Sequence, residues 1–325
     1  MLKLDEQHDS SLPLSMTTLA AAMPYRLNAL FAAAVVTVAA LMLFVVPLLL
    51  LPQAPVLAGI VIVLLMLATP FNTAVLHEAI HGRLAGRPVL NDRMGRVIAI
   101  CSGVSFDVVR FGHLAHHRSN RHALDRPDVI EPGQNALNAG LKYYGHLLGG
   151  LYLTEIIATV AMLLPRRVIV FGIKRAMARD EPEITAIRVA ALRVLDRRVA
   201  RIRLDAFVAI ALYATAFTLY GAFWPLLLGG MLLRGLIISL QDNLPHYGTP
   251  AVINTDAYNM QAPRWLELFM LNQNLHAVHH HQPDLHWTEL PAAFGQERER
   301  YSVPYLAQLV RQFRGPWRPS ALPAE

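Results

Sequence analysis

Between residues 27 and 51 the chain carries no charged side chain and almost no polar one. Such a run crosses roughly 30 Å of hydrocarbon at about 1.5 Å per residue, so one helix is committed to a bilayer. Pro52, Gln53, Ala54 and Pro55 then break it, because proline lacks the amide that a helix interior needs. A second apolar run over 56–76 returns through the membrane and leads directly into His77. Two spans joined by a tight turn make a helical hairpin.

The second half repeats the plan more loosely. Residues 206–223 are apolar, Trp224 and Pro225 mark a turn, and 226–240 runs back, short and carrying Arg234. Between the hairpins, 166–203 is rich in arginine, which the positive-inside tendency places in the cytoplasm. The apolar stretch 147–164 carries Glu155 near its middle and reads as interfacial or re-entrant. A competing topology makes it the third span and merges 206–240 into one. The expectation is an all-α integral membrane protein of two transmembrane hairpins, about four spans. Residues 1–26 form a cytosolic tail, 27–310 one membrane domain, and 311–325 a C-terminal tail. An alanine- and arginine-rich composition points to a bacterial inner membrane.

Hydrophobic residues make up 54% of the 325 and charged residues 16%, too apolar for an ordinary soluble domain. The net charge of +6 suits anionic lipid or an acidic protein better than nucleic acid, since the arginines flank apolar runs. The single cysteine, Cys101, excludes an internal disulfide framework, a cysteine-ligated zinc finger and a four-cysteine iron–sulfur cluster. Any metal is bound through nitrogen and oxygen.

Most of the 14 histidines fall into three groups. His77 and His81 lie four residues apart, on one face of the helix continuing from the second span. His113, His116 and His117 form the second group, and His276, His279 and His280 repeat its spacing. Neutral imidazole binds iron, copper, nickel and zinc alike. Eight histidines exceed what one zinc takes and suit two metals with open positions; breaking an unactivated C–H bond needs a redox metal, which favours iron. His246 is a ninth candidate, and Asp242 or Asn243 would orient a ligand or a metal-bound water.

HEAIH, HLAHH and HAVHH together, each near a hairpin, resemble the membrane fatty acid desaturase and hydroxylase superfamily over roughly residues 70–290. The resemblance implies a di-iron centre (Fe2+/Fe3+) at the cytosolic ends of four spans, on a helical cap. Its ligands carry over onto His77, His81, His113, His116, His117, His276, His279 and His280. The superfamily's isolated histidine after the fourth span matches His246. Its nearby asparagine corresponds to Asp242 by spacing and to Asn243 by residue type. The implied reaction is O2-dependent oxidation of a fatty acyl or lipid-like chain, foremost desaturation, with no catalytic residue beyond the metal centre. Electrons would come from a separate donor such as ferredoxin with its reductase, for which Arg197 and Arg198 offer a basic surface. The segment 274–291 also resembles carotenoid ketolases and enzymes forming terminal alkenes, so hydroxylation, ketolation and decarboxylation stay open.

HEAIH also satisfies HExxH, in which two histidines bind zinc and the glutamate is the general base of a metalloprotease. That reading leaves both HxxHH groups unexplained, and a histidine-rich transporter would show more ionisable residues within the spans than Arg234 alone. His281 points off the shared face. His8, His122, His146 and His286 read as ordinary, Trp265 and Trp287 as interfacial anchors. Asp125 and Asp128 are expected in salt bridges with Arg121 and Arg126, rather than orienting histidine rings as they or Glu78 could.

Overall fold

A computed structural model describes residues 23–251, 254–296 and 300–322. Most of the proposed N-terminal tail, His8 included, lies outside them. The first helix, α1 (Tyr25–Ala40), continues through Leu41–Leu50 with wider, π-type turns. Pro47 lies within these turns and cannot donate, and the ladder ends on Leu51 N–H to Val46 O at 2.9 Å, a five-residue step. After the turn, α2 (Pro55–Met66) and α3 (Thr69–Ile80) form one path bent by 41°. Gly82, at φ 77°, ends α3 in a conformation that glycine adopts without strain. Next come α4 (Pro88–Cys101), α5 (Phe106–Ser119), α6 (Ala136–Gly145), α7 (Leu151–Ala161) and α8 (Arg166–Ala176). A single helix, α9 (Pro182–Tyr220), carries the arginine-rich sequence directly into the third apolar run.

The turn before α10 (Trp224–Asn243) begins at Gly221 (φ 52°), slightly earlier than Trp224 and Pro225 led us to expect. Arg234 Nη1 donates to the Tyr213 hydroxyl at 2.8 Å. Residues so far apart in sequence meet only if α10 folds back on α9, so 206–240 is a hairpin and not one span. The competing long-span topology is thereby removed. Short helices α11 (Arg264–Phe269), α12 (His276–His281), α13 (Leu290–Gln296) and α14 (Tyr305–Arg311) complete the order, with one two-residue parallel pair, Met260–Gln261 against Val303–Pro304.

The chain is an all-α membrane protein. Met42, Ile62, Met66, Tyr213, Tyr220 and Leu227 pack where α1, α2, α9 and α10 meet. Gly230 allows this approach, since a Cβ there would stand 2.8 Å from Ile62 Cγ2. The outward faces hold Leu30, Leu49, Val56, Leu64, Phe207 and Leu232, all exposed, which suits lipid and not water. The stretch 147–164 does not form a continuous helix. It kinks at Leu148 and Gly149 (φ 114°) before α7, which at eleven residues spans about half the hydrocarbon core.

Arg198 and Arg201 turn to acids of the neighbouring helices, while Arg166, Arg167, Arg175, Arg193 and Arg197 stay exposed. Arg198 donates to Asp107 at 2.8 Å, Arg201 pairs with Asp107 and with Asp92 at 3.0 Å, and Arg96 holds the buried Asp205 at 2.6 Å. These pairs clamp α9 to α4 and α5. Trp287 is likewise no interfacial anchor: it is buried, donates Nε1–H to Asn28 at 3.1 Å and packs on Phe31. Trp265 is exposed. Beyond residue 310 the chain stays against the fold, with Trp317 N–H bonded to Asp128 O at 2.7 Å and the Tyr247 hydroxyl to Gly315 O at 2.7 Å.

Candidate metal centre

The last turn of α3 supplies His77, and His81 caps it. Helices α5 and α12 supply three histidines each, and the turn after α10 supplies His246. All nine converge in two sets. One is His77, His81, His113, His117 and His279; the other is His116, His246, His276 and His280; within each set the ligand atoms lie within 4.8 Å of one another. Residues i and i+4 of a helix share a face, and i+3 is rotated from them. Hence His113 and His117 turn to one set while His116 turns to the other. On α12 the assignment is reversed, with His276 and His280 in the second set and His279 in the first. Each HxxHH group therefore serves both sets. The sets adjoin, with the His117 and His280 rings stacked at 4.4 Å between centroids.

The Nε2 atoms face inward. His81 to His113 measures 2.9 Å, His113 to His117 3.0 Å, His117 to His279 3.0 Å, and His116 to His246 3.1 Å. Nδ1 atoms are held from behind. His116 Nδ1 lies 2.7 Å from Asp125 Oδ2, His280 Nδ1 3.2 Å from Asn254 O, and His246 Nδ1 3.3 Å from Asp256 O. A carboxylate or carbonyl on Nδ1 keeps the proton there and leaves the Nε2 lone pair free. The Gln273 amide stands 3.1 Å from His77 Nδ1; turned with its oxygen inward, it does the same. Among the described residues, buried His77 Nε2 and His280 Nε2 have no hydrogen-bond partner, although buried polar atoms are ordinarily satisfied.

Burial, then the neighbouring imidazoles His81 and His116, pushes His117 down to about 3, and burial brings His81 down to about 4. His246, His276 and His279 are lowered well below the usual value by burial and by their histidine neighbours. These rings are neutral and free to bind a cation. At His116, burial alone would lower the value, but Asp125 reverses the direction and raises it.

Three expectations about neighbouring acids resolve differently. Asp125 orients a ring rather than pairing with arginine, whereas Asp128 does pair with Arg121, at 2.7 Å. Arg126 takes Glu131 instead. Glu78 turns away from both histidine sets, with Oε2 3.4 Å from the Trp287 amide and 3.6 Å from His286, which does not suit a general base at a zinc. Asn243 donates to Gln312 Oε1 at 2.9 Å and to the Tyr143 hydroxyl at 3.3 Å, not to a ring. Asp242 lines the adjoining cavity. Gln273 and the carbonyls of Asn254 and Asp256 were not legible beforehand. His281 is exposed and His286 buried against Asn28.

The cavity, about 660 Å³, reaches from His77, His113, His116, His246 and His276 along an apolar wall including Ile80, Val104 and Ile238. A family model described as fatty acid desaturase matches residues 53–310. The chain belongs to the fatty acid desaturase family. Comparisons with curated proteins and with solved structures returned no match. The matched segment of this desaturase-family chain contains every histidine of both sets, and its apolar hairpins and paired imidazole clusters fit the histidine-box superfamily.

The second set offers a local test of its orientation. Replacing Asp125 by Asn removes the charge behind His116 and is expected to weaken metal binding at that set about 10–100-fold. Metal titration of the purified variant checks it; unchanged affinity would show that Asp125 does not orient the ring.

Proposed function

We propose that this protein carries out O2-dependent oxidation of a fatty acyl or lipid-like chain at a di-iron centre, with C=C formation as the reaction. The nine converging imidazoles carry this reading. His77, His81, His113, His117 and His279 would hold one iron, and His116, His246, His276 and His280 the other. The ligand count supports the assignment, since the first set offers five imidazoles where a structural zinc takes four ligands.

Bound there, the ions would supply O2 activation and the redox equivalents for breaking an unactivated C–H bond. The protein's part is positioning. Asp125 and the carbonyls of Asn254 and Asp256 fix ring orientation, and the apolar cavity holds the chain and excludes water. Two hydrogens leave adjacent carbons, and with two external electrons and two protons from solvent they reduce O2 to two waters. Those electrons come from a separate ferredoxin-like donor, because the single cysteine cannot ligate a cluster. The active side is taken to face the cytoplasm of a bacterial inner membrane, on the excess of arginine beside the spans.

Iron analysis of the purified protein, together with lipid analysis of cells expressing it beside a His116→Ala control, tests the proposal. About two irons per chain and a new double bond absent from the control are expected. A lone zinc with no iron would overturn it, and a new alcohol or ketone would move the protein to the hydroxylating branch.

A further inference from the structure

Arg234 lies mid-way along α10, inside the membrane layer, and is 3% exposed. Its Nη1 donates to the Tyr213 hydroxyl, the Tyr152 hydroxyl is a second neutral neighbour, and Nη2 stands 4.0 Å from Met42 Sδ. Among the described residues no carboxylate lies within ion-pair distance. Two phenols solvate a guanidinium but do not cancel its charge. An uncompensated cation in hydrocarbon is costly, and such residues persist chiefly where a ligand or ion meets them.

Arg234 and Tyr152 line the same cavity that reaches the histidines. Arg121 also lines it, but Asp128 neutralises that side chain through two oxygens, at 2.7 and 3.3 Å. The wall also carries Asp125 and Asp242 near the histidines, and Glu155 one turn along α7 from Tyr152. Along α10, Arg234 precedes Asn243, at the helix end, by about 13 Å of axial rise. Arg234 is thus the one arginine of the lining that has no carboxylate partner among the described residues.

We propose that Arg234 receives the carboxylate of a free long-chain acid, which enters the cavity head first and lays its chain toward the two histidine sets. This rests on the acyl-chain reading of the site and names its substrate as the unesterified acid. An ester or thioester carbonyl has no charge to neutralise the guanidinium. The carbon attacked is then fixed by its distance from the carboxyl group and not from the methyl end.

Binding of tetradecanoic acid and of its methyl ester to the detergent-solubilised full chain tests the proposal without requiring turnover. The acid is expected to bind at least about tenfold more tightly, as a hydrogen-bonded charge pair implies. Arg234→Gln should bring the acid to the affinity of the ester and leave the ester unchanged, and Arg234→Lys should retain part of the preference. Equal wild-type affinities, or equal weakening of both ligands in Arg234→Gln, would overturn it, the latter marking a packing role. Should Arg234→Gln fail to accumulate as a monodisperse protein, the wild-type acid-to-ester ratio decides alone. A chain that holds no iron but prefers the acid would refute the proposed chemistry while leaving the carboxylate site intact. With active protein, double bonds in acids of two lengths should share one position counted from the carboxyl; a shared position counted from the methyl end refutes head-first binding.

Discussion

Replacing His246 by Ala is expected to reduce activity to background, at least about a hundredfold, and to remove the metal of the second set while the first set keeps its own. His246 lies outside all three clusters, yet its Nε2 stands 3.1 Å from His116 Nε2 and its ring faces those of His276 and His280 at 5.0 and 4.8 Å. It is one of only four imidazoles in that set, so its loss leaves three ligands. Disturbing a group behind a ligand already costs about 10–100-fold, and removing the ligand itself should cost more. The control is His281→Ala. That residue directly follows His280 but is exposed and outside both sets, so full activity and both metals should remain. Metal content per chain and turnover, measured on both variants, decide the matter. An active His246→Ala protein with two metals would mean that the second set closes without it.

Much of this centre was legible in the sequence because two regular periods carry it. Long uncharged runs specify membrane helices, and three- and four-residue histidine spacings specify shared helix faces. What periodicity does not convey is rotation between helices. The spacing of α5 and α12 is identical, yet His116 and His279 leave their neighbours for the opposite set, because that depends on how each helix is turned against the other. The supporting groups were harder to see. Asp125 and Asp128 look equivalent beside Arg121 and Arg126, and only tertiary packing sends one to His116 and the other to Arg121. The carbonyls of Asn254 and Asp256 carry no side-chain signal at all. Arg198 has a structural role that its sequence context does not announce. Read with Arg197 as surface charge, it also reaches Asp107 and Asp92 and helps to hold α9 to α4 and α5, while Arg197 stays exposed.

Asp128→Ala is expected to destabilise the fold by about 3–5 kcal/mol, the usual result of stranding one partner of a buried ion pair. Both side chains of the Arg121–Asp128 pair are 1% exposed. Arg121, directly beyond α5, also donates to Thr249 O and Pro250 O, each at 3.1 Å, while Asp128 Oδ2 accepts from Gly248 N–H at 2.8 Å. The pair therefore fastens the turn bearing His246 to the end of the helix bearing His116. Without Asp128 the guanidinium keeps its carbonyl partners but has no counter-charge, and Gly248 N–H loses its acceptor. A drop in thermal midpoint of roughly 5–10 °C follows for a chain of this size, and the second metal should leave before the first on chelation. Replacing Arg121 and Asp128 together by leucine should recover part of the loss, since no charge is then stranded. Glu131→Ala supplies the contrast. Its pair with Arg126 is less buried, with side chains 20% and 28% exposed, so water can solvate the partner left behind and the loss should be smaller. Equal small effects from Asp128→Ala and Glu131→Ala would show that the turn is held by backbone contacts, and the second metal set would then owe nothing to the buried pair.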